Sequence, residues 1–177
     1  MLLTKQQQFL IDALERTGGL RMDQMTALLR QAFCAKKPEI AQRVTEAALG
    51  QMEYRNVRLC LESGVFFLDG NKPNPRILDA VDVMIQLSGS APVDYWRARA
   101  PILLRFCIQE QTVRHFSVAE ETADLRDAEF SPLERIILLF DGQGQPRTLP
   151  VPNKQFIAVR QDNGLFRFFA RGGKQKL

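Results

Sequence analysis

An α+β fold is predicted on two observations. Three helix-length amphipathic segments fill residues 4–53 and lead straight into a short hairpin, and the second half carries short β-prone runs separated by turn-forming residues. Thr4 is suited to cap the first helix, with Gln7 reaching back three residues later, and Phe9, Leu10, Ala13 and Leu14 then recur at helical spacing. Gly18-Gly19 ends that helix. Asp23 is the expected cap of a second, whose Met25, Leu28, Leu29, Ala32 and Phe33 form one apolar stripe. Pro38 sits where a third helix takes its first turn, and Ile40, Val44, Ala47, Ala48 and Met52 give it a buried face. Residues 57–62 alternate like a half-buried strand, Ser63-Gly64 turns the chain, and Val65 to Leu68 return.

Helix, helix, helix and hairpin in that order is the outline of a winged helix. After the break at Asn71-Lys72-Pro73-Asn74-Pro75, Ile77, Leu78, Val81, Met84 and Ile85 predict a fourth helix over 76–87, which completes this unit. Ser88 to Pro92 is a second break, so the chain divides into a winged helix-turn-helix domain at 1–88 and a small α+β domain at 89–177. The second unit is expected to open with a short helix around Asp94 to Ala98. Strands follow at 102–108, 112–118, 136–140, 156–159 and 165–169, about five in all, the last two joined as a hairpin around Asp162-Asn163-Gly164.

The chain has 177 residues, 45% hydrophobic and 25% charged, the balance of a soluble globular protein. No apolar run reaches the roughly 18 residues of a membrane span, and the amino terminus lacks a signal-peptide pattern, so no membrane association is expected and the expected location is the cytoplasm. Cys34, Cys60 and Cys107 are far apart, with no CxxC pair and one histidine in the chain, which speaks against a zinc site or a disulfide framework. They read as small buried apolar residues.

The net charge of +4 is unevenly spread. Residues 110–134 are acidic, whereas Arg147, Lys154, Arg160, Arg167, Arg171, Lys174 and Lys176 face only Asp162 in the final stretch. Such a basic segment favours phosphate backbones. Arg160, Arg167 and Arg171 are expected to extend one positive face across both domains. On the third helix and its flanks, Gln42, Arg43, Thr45, Gln51 and Arg55 are of types that hydrogen-bond base edges or phosphates, and Arg58 on the hairpin with Lys36-Lys37 adds positive charge. Glu39, Glu46 and Glu53 on the same helix oppose it.

Catalytic chemistry finds little support. His115 and Ser117 are two apart on a strand and share a face, the minimum for a base beside a nucleophile, but no orienting carboxylate stands in a recognisable motif. Gly142-Gln143-Gly144 lacks the lysine of a phosphate loop and precedes Pro146, so no nucleotide cofactor is implied. Glu120, Glu121, Asp124 and Asp127 match no calcium loop and read as a solvated acidic face. The expectation is therefore a protein with no catalytic residues, no metal and no cofactor. Its partner is double-stranded DNA, contacted by Lys36, Lys37, Gln42, Arg43, Arg55 and Arg58, while the second domain serves for homodimerisation or contact with a protein. A winged-helix module for protein interaction without DNA binding is the alternative.

Thr4-Lys5-Gln6-Gln7 opening the first helix, Leu28-Leu29 in the second and the hairpin after Val57 make residues 1 to about 88 resemble the winged-helix half of replication-relaxation proteins of bacterial plasmids and integrative elements. That resemblance implies a carboxy-terminal domain of restriction-endonuclease-like fold and a role in transcription regulation or in the replication or mobilisation of a genetic element. Enzymes of that fold hold metal through an acidic residue followed by Glu or Asp, one residue and Lys. No Glu-x-Lys or Asp-x-Lys occurs in this sequence, so the resemblance implies a domain that has lost the nuclease site.

Overall fold

The computed structural model describes residues 3–33, 38–53, 57–89, 92–142, 149 and 151–170. Among these residues the fold is α+β, with four helices and two sheets. Helix α1 (Lys5–Thr17) starts at the predicted capping box: Thr4 Oγ1 accepts from the Gln7 amide at 3.2 Å, and Gln7 Oε1 accepts from the Thr4 amide at 3.0 Å. Gly18 ends it at φ 80°, a left-handed conformation that glycine adopts without a Cβ penalty.

Strand β1 (Leu20–Arg21) and helix α2 (Met22–Phe33) follow directly. Asp23 is not the cap of α2 but lies inside its first turn, and the end is tied instead by Gln24 Oε1, which accepts from the Arg21 amide at 3.1 Å. Helix α3 (Pro38–Glu53) begins at the predicted proline. Strands β2 (Leu59–Glu62) and β3 (Val65–Leu68) form the hairpin, turned by Ser63 and Gly64 at φ 50° and 79°. β1 pairs with the free side of β3, giving a three-stranded sheet in the order β1-β3-β2. Asn74 caps α4 (Pro75–Ser88), whose Ile77, Ala80, Val81 and Met84 are buried.

The second sheet has six strands rather than about five: β4 (Asp94–Arg97), β5 (Ile102–Gln109), β6 (Val113–Glu120), β7 (Arg135–Phe140), β8 (Gln155–Arg160) and β9 (Phe166–Ala170), in sequence order across the sheet. The extra strand is β4, where the sequence predicts a short helix. Tyr95 lies opposite Phe106 and buries its ring, and this cross-strand pairing outweighs any local helical preference. β6, β7 and β8 run parallel, and the outer pairs are antiparallel.

One face of this sheet packs on helices. Leu104, Phe106, Phe116, Val118, Ile137 and Phe156 share a continuous apolar core with Leu10, Leu14, Val81 and Met84, and the rings of Phe106 and Phe116 stack 4.9 Å apart. The other face is closed by the chain after β6 and before β8, where Leu125 and Leu149 cover Ile102, Ala119, Ile136 and Leu138. Ion pairs also bridge the two halves. Asp82 of α4 accepts from Arg21 at 2.6 Å, from Gln24 at 2.7 Å and from Arg160 of β8 at 2.8 Å, while Arg76 holds Asp141 through two bonds of 2.9 and 2.5 Å.

Candidate nucleic-acid interface

The exposed side of α3 is built by what its other side buries. Ala41, Thr45, Ala48, Leu49 and Met52 face the core, which turns Gln42, Arg43, Glu46, Ala47 and Gln51 outward. Thr45, a candidate on residue type, is fully buried and spends its hydroxyl on the Ala41 carbonyl at 2.9 Å, so it cannot reach a ligand. Gln51 is exposed but accepts from Gln7 Nε2 at 3.2 Å. Gln42 Nε2 donates to Glu46 at 2.9 Å, one turn on, which occupies part of the acidic charge that opposes a phosphate. Arg43 is exposed and has no ion-pair partner among the described residues.

Arg58, beside the hairpin, is almost fully exposed and pairs with Asp69 at 3.2 Å, an exposed contact weak enough to exchange for a phosphate. Lys36, Lys37 and Arg55 lie outside the described residues, as does the side chain of Glu53. Arg147, Arg171, Lys174 and Lys176 also lie outside them.

The basic carboxy-terminal face is only partly found. Arg160 pairs with Asp79 and Asp82 of α4, at 2.6 and 2.8 Å, and is neutralised there. Arg167 lies over the Phe169 ring, 5.1 Å from its centroid, and Lys154 is exposed. The positive charge that Arg160 brings thus joins β8 to α4 instead of extending an open basic surface.

His115 and Ser117 do not form a nucleophile–base pair. Ser117 is fully buried and donates to Glu134, whose other oxygen accepts from the Ser131 amide at 2.9 Å. Arg105 Nε reaches Ser117 Oγ at 3.2 Å and completes this buried group. His115 instead meets Cys107, Nδ1 to Sγ, at 3.1 Å across the β5–β6 pair. The cysteine is buried. Burial, with Asp94 and Glu134 adding, pushes its thiol pKa up, which keeps it protonated and poorly nucleophilic. Cys60 is half-buried, and Cys34 lies outside the described residues.

No group of three or more His, Cys, Asp or Glu side chains is placed to hold a metal ion among the described residues. No described helix is long and apolar enough to cross a membrane. Sequence reasoning misses the Cys107–His115 contact and the Arg105–Ser117–Glu134 group, because each depends on strand register rather than on spacing along the chain. Comparison with protein-family models, curated proteins and solved structures finds no match to this chain.

Proposed function

We propose that residues 3–88 are a winged helix that binds duplex DNA without catalysing a reaction, with α3 entering the major groove and the β2–β3 hairpin lying along the backbone. One observation carries the reading. The order α1, β1, α2, α3, β2, β3, closed by a sheet in the order β1-β3-β2, leaves the outer side of α3 and the hairpin turn exposed in the same unit. Arg43 and Gln42 then address base edges, Arg58 addresses a phosphate, and Lys36, Lys37 and Arg55 supply further charge at the ends of α3. A role in transcription regulation, or in replication or mobilisation of a bacterial genetic element in the cytoplasm, follows from this reading and from the resemblance to replication-relaxation proteins. The six-stranded sheet would serve to pair two copies or to hold a protein partner.

A second reading rests on Glu39 and Glu46, both exposed on α3, with Ile40 53% and Leu61 60% exposed on α3 and β2. These suit a protein surface better than a phosphate, and favour a docking module that binds no DNA. Fluorescence anisotropy on mixed-sequence duplex DNA separates the two. DNA binding predicts saturable binding at low salt. For the doubly substituted Arg43→Ala/Arg58→Ala protein it predicts a salt slope shallower by about 0.9 for each phosphate that is no longer neutralised. Absence of binding, or a double variant indistinguishable from the parent, refutes the DNA reading.

A further inference from the structure

We infer that the groove beside the β4–β5 turn binds a nucleotide unit, in single-stranded nucleic acid or free, at a site separate from α3. The groove has a volume of about 700 Å³ and lies between two chain segments. Residues 96–105 supply Trp96, Arg99 and Arg105, and the crossover from β6 to β7 supplies Asp124, Asp127 and Glu129. Trp96 is 40% exposed, a large aromatic surface left open at the groove. Arg105 ties the two segments together: its Nη2 donates to the Glu129 carbonyl at 2.6 Å while its Nε holds Ser117 at 3.2 Å, so the groove is anchored to the buried Glu134 group.

The charges are separated by segment. Arg99 has no ion-pair partner among the described residues, and Arg97, which also lines the groove, reaches instead toward the Gly18 turn. Asp124 is taken by Arg126 at 2.6 Å, whereas the carboxylates of Asp127 and Glu129 have no ion-pair partner among the described residues. An inorganic anion gains from Arg99 but is repelled by that acidic side. A nucleotide satisfies both sides at once. Its phosphate pairs with Arg99, its base stacks on Trp96, and the base N–H groups donate to Asp127 and Glu129. Guanine presents two adjacent donors, N1–H and the N2 amino group, which one carboxylate accepts together; uracil presents a single ring N–H. The site therefore prefers guanine to uracil.

Trp96 is the only tryptophan in the chain, so its fluorescence reports this groove directly. Titration of the full chain with GMP, UMP, inorganic phosphate and a guanine-containing DNA hexamer, corrected for absorption by the nucleotides, is the test. Saturable quenching by GMP is expected, weaker by about tenfold or more with UMP and absent with phosphate. Arg99→Ala should weaken both nucleotides by about threefold to tenfold, and Asp127→Asn/Glu129→Gln should narrow the gap between GMP and UMP. A hexamer tighter than GMP assigns the site to a single strand, and equal affinity assigns it to the free nucleotide. No saturable quenching by either nucleotide, or equal quenching by phosphate, overturns the inference. The Arg43→Ala/Arg58→Ala protein should quench like the parent, so failure here and failure of duplex binding are told apart.

Discussion

Replacing Asp82 by alanine tests whether one carboxylate on α4 ties β1, α2 and β8 together. Its carboxylate, only 16% exposed, accepts from Arg21 at 2.6 Å, Gln24 at 2.7 Å and Arg160 at 2.8 Å, groups that come from β1, α2 and β8. Charge-assisted hydrogen bonds contribute about 1.5–3 kcal/mol each when buried. The two arginines are 32% and 39% exposed and keep Asp23 and Asp79 as partners, so the sum must be discounted. A net loss of about 3 kcal/mol remains, equivalent to a fall in Tm of roughly 9 °C for a chain of this size. Thermal unfolding followed by circular dichroism measures it. Asp82→Asn, which keeps one acceptor for Gln24, should lose about half as much. A cycle of Asp82→Ala with Arg160→Ala should show a coupling of about 1 kcal/mol. An Asp82→Ala protein melting within about 1 °C of the parent would refute the reasoning.

Two further outcomes concern the core and acid titration. Phe106, fully buried and stacked on Phe116, should cost about 3–5 kcal/mol on truncation to alanine, read as a lower urea midpoint, with Phe106→Leu costing less. The bonds from Arg76, and its charge, hold the Asp141 carboxyl below its ordinary 3.8, so its contribution is present at neutral pH and is lost as pH falls through the lowered value. The stability gap between the parent and Asp141→Asn should therefore close below about pH 4 in urea titrations at a series of pH values; a gap that stays constant into acid would show that Arg76 does not hold this carboxyl.

What is legible in the sequence is local. Thr4 and Gln7 are three residues apart and Ser63-Gly64 is its own turn, so each can be read without knowing the rest of the chain. Asp94 to Arg97 cannot, because what makes it a strand is Phe106 across the sheet. The same limit hides the hub at Asp82, whose partners lie 61, 58 and 78 residues away, and it turns Arg160 from an expected open positive charge into a buttress on α4. Thr45 eludes a reading by residue type for a different reason. A threonine hydroxyl suits a polar ligand, but its place between Ala41 and Ala48 on the inner side of α3 decides its fate.

The mixed direction of the large sheet sets an order of assembly. β4, β5 and β6 are antiparallel neighbours joined by short turns, as are β8 and β9, and such pairs close quickly because little chain entropy is given up. The two parallel seams, β6 with β7 and β7 with β8, each wait for a long crossover to close. A chain emerging from the ribosome therefore holds its helices and β4–β6 early, with the apolar edge of β6 unpaired until β7 has followed. During that interval the nascent protein is most exposed to association with other chains, and it is then that a chaperone would matter most.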